Sequence, residues 1–486
     1  MKLAELLAEI TPVSLGVSLD LDVKGLCLDS RLVSAGDLFF AVPGAREDGA
    51  AYIPQALAAG AAAVVTEAET DPALPAVRVP DLRAAMAAMA ARFYGRPAAR
   101  LRMIGVTGTN GKTTVTHIVK GILERAGGFR VGLIGTNGNR IGDTLLPSER
   151  TTPDILTLQA LLARMAEAGC SHCVMEVSSH ALSQHRVYGV EFREALFTNL
   201  TQDHMDYHRD MEEYFRAKAL LFQQSDAAVL NLDDPYGRRL AEDGSLNSIT
   251  YSTRRDEADV VAKNIRFKAN RVEFEVVTTS GIARIEWATP GLFSVYNALA
   301  AVACALMEGV ALRDIAAATR EIPPVRGRME VVPGPEGVTV VIDYAHTPDA
   351  LENLLLAVRE YHGGRVITLF GCGGDRDRSK RPLMGAAAAR LSDLVIVTSD
   401  NPRTEKPAQI IEEITAGIPA SGTPALVVEN RVEAVGRALS EAKPGDIVLL
   451  AGKGHEDYQE IDRQKFPLDE REVVADWVRR TREREG

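Results

Sequence analysis

The sequence predicts an α/β protein built from three successive units, and three observations carry that prediction. The chain has 486 residues, too many for one hydrophobic core and enough for about three domains of ordinary size. Two long stretches alternate short apolar runs with helical periodicity, the pattern of mostly parallel sheets flanked by helices. The side chains able to do chemistry follow those apolar runs, beyond the carboxyl ends of strands, where open parallel sheets bind ligands.

The first unit, residues 1–98, combines short strands with Ala-rich helices, as in GDLFFAVPG followed by YIPQALAAGAAAVV, and reads as a small α/β unit. The Pro- and Arg-containing GRPAARLR opens the second unit, residues 99–330. Its predicted strands are RMIGVTG, RVGLIGT, HCVMEVS, EALFTNL and AAVLNLD, with helices such as DILTLQALLARMAEAG between them. NRVEFEVV and ARIEWAT alternate as antiparallel strands do, and YNALAAVACALMEGV follows as a buried helix. The third unit, residues 331–486, sets VTVVIDYAH, RVITLFGCGG, DLVIVTSDNPR, PALVVEN and GDIVLLAGKGHE in series. A Rossmann-like fold follows, with the loops of His346, Asp375, Asn401 and His455 expected on one edge.

A formal charge of -11 leaves no broad basic face for a nucleic acid. Five cysteines, odd in number and irregularly spaced, fit a reducing compartment, with the cytoplasm expected. MKLAELLAEI places Glu5 and Glu9 where a signal peptide needs an unbroken apolar run, and stretches such as Ala298 to Met307 are too short to span a bilayer. No membrane insertion is expected.

GVTGTNGKTT, Gly105 to Thr114, has the parts of a phosphate cradle at an unusual spacing. The common loop places a glycine five residues before the Gly-Lys pair, and here that position is Val106. The physical logic survives: a strand feeds a tight turn with outward amides, Lys112 offers a point charge to phosphates, and Thr113 offers a hydroxyl to Mg²⁺. A plain glycine-rich turn with a surface lysine is the competing reading.

Further candidates lie on the same predicted edge. Glu176 in MEVSSH ends a strand within reach of the loop, and TNLTQDHMDYH adds Asp203 and His204; oxygen-rich surroundings suit Mg²⁺ better than Zn²⁺. His204 and His208 stand one helical turn apart, but MDY between them lacks the glutamate of a zinc-protease helix, so no zinc site is read. Cys170 and Cys173 in CSHC read as core. Lys218, inside the apolar YFRAKALLF, is either a lysine snorkelling from a helix edge or a neutral amine able to form a carbamate with CO₂.

Taken together, TGTNGKTT, MEVSSHAL, TNLTQDHMDYH, YFRAKALLF, VRGRME and DYAHTPDAL resemble the Mur ligase family, and the resemblance covers essentially the whole chain. DSR near the start, TTPD, GCGGDRDRSKRPLM and DNPR point to the branch that adds diaminopimelate. The resemblance implies a small N-terminal UDP-binding α/β domain, a central P-loop-type ATPase domain and a C-terminal Rossmann-like domain that brings the amino acid. It also accounts for the loop spacing, because the family signature is GTNGK followed by Thr or Ser.

The resemblance further implies an ATP-dependent amide ligase that joins meso-diaminopimelate to the D-Glu carboxylate of UDP-MurNAc-L-Ala-D-Glu in peptidoglycan precursor synthesis. The lysine-adding enzyme of the same family is the alternative, and a nucleotide-dependent binding module is the alternative from another class. Gly108, Thr109, Asn110, Gly111, Lys112, Thr113, Thr114, Asn297 and Arg328 match nucleotide contacts. Thr113, Glu176, His204 and Lys218, the last as a CO₂-derived carbamate, match the Mg²⁺ region, with Lys112 among the catalytic groups. Leu28, Ser30, Thr151, Thr152, Ser178, Gln184 and Arg186 match the UDP-sugar-dipeptide site, and Arg376, Asp400, Asn401, Pro402, Arg403, Gly452 and Glu456 the diaminopimelate site. A monomer is expected.

Overall fold

A computed structural model describes residues 1–44, 48–148, 150–268 and 271–485. The first sheet has five strands; Gly25–Cys27, Asp37–Phe40, Ala63–Thr66 and Ala76–Arg78 run parallel, and Ser14–Leu15 closes the edge antiparallel. Helix Leu82–Phe93 begins at Asp81, whose carboxylate caps the amide of Ala84.

The second sheet has eleven strands. At its centre Arg102–Thr107 lies between His172–Glu176 and Phe192–Phe197, all parallel, and Ser225–Asn231 follows alongside. Period-two alternation sorts the side chains of these strands between two apolar layers. Met103, Cys173 and Met175 pack into the layer of helix Ile155–Glu167, whereas Ile104, Val106 and Val174 pack with helices Lys112–Arg125 and Leu292–Met307. Val260–Lys268, Arg271–Thr278 and Gly281–Trp287 extend this same sheet as an antiparallel meander.

In the third unit Thr339–Asp343, Ile447–Ala451, Val366–Phe370 and Leu394–Val397 are adjacent and parallel in a six-stranded sheet. Apolar layers cover both faces. The loops after these strands carry His346, His455, Asp375 and Asn401, so the four fall on one sheet edge as the strand pattern predicts.

Two hairpins are absent from the sequence reading. Asn139–Ile141 and Thr144–Leu146 extend the second sheet, and Tyr458–Ile461 pairs with Gln464–Pro467. Their strands are only three or four residues long. The second hairpin turns through Asp462 and Arg463, both at positive φ, without the Asn-Gly or Asp-Gly pair that marks such a turn.

Towards the amino-terminal ends of the central strands, away from the phosphate loop, Glu194 and Glu308 are buried together. Glu308 also meets Arg102 Nε at 2.6 Å and His172 Nε2 at 3.1 Å. Burial, reinforced by the neighbouring Glu308 carboxylate, pushes the Glu194 carboxyl up to about 9. An acid whose folded value is raised binds a proton that the unfolded chain releases, so its contribution to stability declines from about pH 4.3, the ordinary glutamate value, upward. Glu194→Gln should flatten that decline, gaining on the parent steadily as pH rises above about 5. Thermal melts of both proteins across this range check it; a constant difference would remove Glu194 as the proton carrier.

Candidate active site

The phosphate loop runs from strand Arg102–Thr107 into helix Lys112–Arg125. Gly108 and Gly111 take φ of 142° and 88°, and a Cβ would run into Thr198 Oγ1 at the first and Asn297 Oδ1 at the second. Glycine is therefore needed at both for conformation and for space. The neighbouring strand end fixes the loop: Asn110 N donates to Asn199 Oδ1 at 2.9 Å, Thr109 N to Asn199 O at 2.8 Å, and Thr198 Oγ1 to Asn110 O at 2.6 Å. Thr114 follows in the first turn of the helix.

Glu176 ends the adjacent strand fully buried and joins the loop to Thr136 and Thr151 across the cleft. Its Oε2 accepts from Thr113 Oγ1 at 3.0 Å and Thr136 Oγ1 at 3.1 Å, and its Oε1 from Thr136 N at 2.8 Å. Thr136 Oγ1 in turn meets Thr151 Oγ1 at 3.0 Å. Thr152 Oγ1 donates to the Glu176 carbonyl and accepts from Ser178 N, while Arg186 binds Thr152 O at 3.0 Å and Gln184 Oε1 at 2.6 Å. The structure thus gathers Thr151, Thr152, Ser178, Gln184 and Arg186 around Glu176. Thr136, which the sequence reading passes over, is the link.

Lys112 Nζ donates to Gly108 O at 2.9 Å, and Lys218 Nζ donates to the same carbonyl at 2.8 Å. Lys218 is 1% exposed and rests against the Tyr214 ring, 4.5 Å from its centroid. It does not snorkel. Burial, and then the charge of Lys112, push its ammonium well below the ordinary value, so the neutral amine is within reach.

His204 sits at φ 58°, a conformation costly for a non-glycine residue. Its ring lies 3.4 Å from Asp203 Oδ2, and burial pushes the imidazole down to about 3 against the pull of that carboxylate. It is neutral near pH 7, with a lone pair to offer. Thr113 and Glu176 add a hydroxyl and carboxylate oxygens, donors that suit a hard divalent cation. Lys218 offers only donors as an ammonium and could face a cation only once uncharged or converted to a carbamate.

The third unit reaches the loop directly. Asp349, in the first turn of helix Pro348–Tyr361, accepts from Asn110 Nδ2 at 2.8 Å and Thr201 Oγ1 at 3.2 Å. Arg328, at the end of the second unit, donates to Thr113 Oγ1 at 3.0 Å and lies over the Tyr344 ring of the third. Asp349 lies within the DYAHTPDAL run but carries no assigned role in the sequence reading; its meaning depends on a contact more than two hundred residues away in the chain.

Around the end of Leu394–Val397, Asn401 Nδ2 donates to Glu456 Oε2 at 2.8 Å. Arg403 donates to Gly374 O at 2.8 Å and pairs with Glu460 at 3.2 Å. Pro402 carries the chain between these two residues, and Gly452, at φ 108°, lets the backbone pass Asp400. Arg376 bonds the Asp375 carbonyl, and burial, then the nearby Arg403 charge, press its guanidinium below the ordinary value.

A cavity of about 650 Å³ is lined by Lys112, Thr113, Glu176, His204 and Asn297 together with Arg376, Asp400, Asn401, Arg403, Gly452 and Glu456. Leu28 and Ser30 do not line it. Leu28 packs on the apolar core and Ser30 donates to Gln55 at 3.0 Å, both in the first unit. Arg83 connects that unit to the cleft by bonding Gln184 O at 3.3 Å.

Family models match nearly end to end: the Mur ligase family, catalytic domain, over residues 22–94, the Mur ligase middle domain over 106–305, and the Mur ligase, glutamate ligase domain, over 327–454. The chain is 48% identical to the UDP-N-acetylmuramoyl-L-alanyl-D-glutamate–2,6-diaminopimelate ligase of Thermosynechococcus vestitus across 97% of each chain. It is 46% identical to the protein of the same name from Gloeobacter violaceus, over 100% of this chain and 99% of that one. A solved structure of a ligase with this name is 34% identical, covers 99% of both chains and superposes with a TM-score of 0.70. A MurF ligase from Thermotoga maritima in complex with ADP, 19% identical, shares the fold with a TM-score of 0.65 over 96% of this chain and 98% of its own. With its phosphate loop, three large sheets and near full-length likeness in agreement, the chain belongs to the Mur ligase family.

Proposed function

We propose that the protein is an ATP-dependent, ADP-forming amide ligase that joins meso-diaminopimelate to the D-Glu carboxylate of UDP-N-acetylmuramoyl-L-alanyl-D-glutamate, in cytoplasmic peptidoglycan precursor synthesis. The observation that carries this reading is the shared cavity: the phosphate-loop residues Lys112 and Thr113 line it together with Arg376, Asn401, Arg403 and Glu456. Such a cavity lets an acyl group activated at the loop meet an amine held by the third unit. We assign residues 1–98 to UDP binding, with Leu28 and Ser30 on the uridine side, 99–330 to ATP and the dipeptide, and 331–486 to the amino acid. A monomer is the expected form.

The D-Glu carboxylate attacks the γ-phosphorus of ATP, the bond to the β-phosphate oxygen breaks, and ADP leaves an acyl phosphate. The free amine of diaminopimelate then attacks the acyl carbon, expels phosphate and gives up its proton. Lys112 and the loop amides Gly108 to Thr114 offset charge on the phosphates, and Asn297 and Arg328 flank the nucleotide. Thr113, Glu176, His204 and carbamylated Lys218 would hold Mg²⁺, which supplies charge neutralisation when bound. Two ammonium groups on the Gly108 carbonyl repel, and carbamylation of Lys218 turns that repulsion into attraction to Lys112.

Thr151, Thr152, Ser178, Gln184 and Arg186 position the sugar-peptide, and Asp400, Asn401, Pro402, Arg403, Arg376, Gly452 and Glu456 the amino acid. The test is phosphate release with ATP, Mg²⁺ and the UDP-dipeptide, comparing meso-diaminopimelate, L-lysine and no amine. Release driven by diaminopimelate with a UDP-tripeptide product is expected; preference for lysine, or no amine dependence, overturns the reading. Stripping CO₂ and bicarbonate should lower the rate reversibly, and a rate indifferent to both would remove the carbamate.

A further inference from the structure

Lys453 is 0% exposed and lies beneath the residues assigned to the amino acid. Its Nζ donates to Asn401 Oδ1 at 2.6 Å and Tyr458 O at 2.7 Å, and pairs with Asp400 Oδ1 and Glu456 Oε2, each at 3.1 Å. Asn401 Oδ1 also accepts from Glu460 N at 2.9 Å, which leaves Nδ2 to hold Glu456. One ammonium therefore fixes the orientation of the Asn401 amide, keeps two neighbouring carboxylates together and ties down the hairpin that begins at Tyr458.

Elsewhere around this cluster, Arg431 pairs with Glu470 Oε1 at 2.8 Å, and Arg403 is paired with Glu460. Neither cation meets Asp400 or Glu456 in an ion pair among the described residues. Without Lys453, Asp400 and Glu456 would face each other across a buried space, Asn401 would lose its orienting donor, and the hairpin carrying Glu460 would lose an anchor.

We propose that Lys453 is a positioning residue for amino-acid selection, acting through Asn401 and Glu456. This rests on the ligase reading. Lys453→Met should raise KM for meso-diaminopimelate by ~10-fold or more, the consequence of leaving buried polar partners unpaired. KM values for ATP and the UDP-dipeptide should stay within about threefold, a split that a general loss of structure does not produce. Lys453→Gln, which keeps an N–H for Asn401 without the charge, should fall between parent and Met variant.

Equal losses for all three substrates, or an unchanged KM for diaminopimelate, would overturn the assignment. If the Met variant does not melt cooperatively, the Gln variant decides by the same comparison. A parent enzyme that turns over lysine in place of diaminopimelate sinks the substrate reading instead, and the identical KM comparison made with lysine still judges Lys453.

Discussion

Lys112→Met is expected to lower kcat by ~10³-fold or more, in the range seen when a group that stabilises transition-state charge is removed. Its ammonium lies where the loop carbonyls of Gly108 and Thr109 converge, at 2.9 and 2.8 Å. Swinging from these neutral carbonyls to a phosphoryl oxygen costs little reorganisation. The loss should fall on kcat, because two anions, a carboxylate and a triphosphate, must approach while charge moves between them. Binding of the UDP-dipeptide, measured by calorimetry without nucleotide, should be unchanged. A kcat within tenfold of the parent would show that another cation carries this charge.

Arg403→Ala is expected to raise KM for meso-diaminopimelate by ~10²-fold or more, since a site built to pair with a polar group suffers far more from its loss than from a missing methylene. The proposed recognition role is supported by how the residue is held. The residue sits at φ 53°, its amide donates to Glu460 O and its carbonyl accepts from Asp462 N, so the backbone is clamped while the guanidinium points at Gly374 and Glu460. A planar fork suits the distal carboxylate of the diamino acid, which lysine lacks. Discrimination against lysine should collapse together with affinity. KM for ATP should move little, and damage to nucleotide and amino acid in equal measure would sink this role.

Most of the fold was legible because the parallel strands are buried on both faces and announce themselves as near-continuous apolar runs. RMIGVT and HCVME are such runs, and each ends at a glycine-bearing turn or an acid. What escaped was built from weak local signals and long-range contacts. The hairpin of Tyr458 to Pro467 turns on Asp462 and Arg463, residues with no turn signature, and it is bridged at Ile461 to Arg403, more than fifty residues earlier.

The site divides in the same way. Lys112, Thr113, Glu176 and His204 could be grouped on sequence because each follows a predicted strand on the loop's side of the sheet, and the structure brings all four to one cavity. Thr136, Asp349 and Lys453 were not, since a threonine, a helix-start aspartate and a lysine between two glycines have ordinary structural readings until their partners are known. Lys218 stood between two readings on sequence, and its complete burial removed the snorkelling one.

Asp349 and Arg328 touch the phosphate loop from a segment continuous with the sheet that bears Asn401 and Arg403. Thermodynamic linkage then imposes a symmetry on equilibrium binding. Whatever factor a bound nucleotide gives to amino-acid affinity, by moving those contacts, the amino acid must return to the nucleotide. Titrating each ligand in the presence of the other closes a four-state cycle, and the logarithm of the shared factor gives the coupling free energy between the two sites.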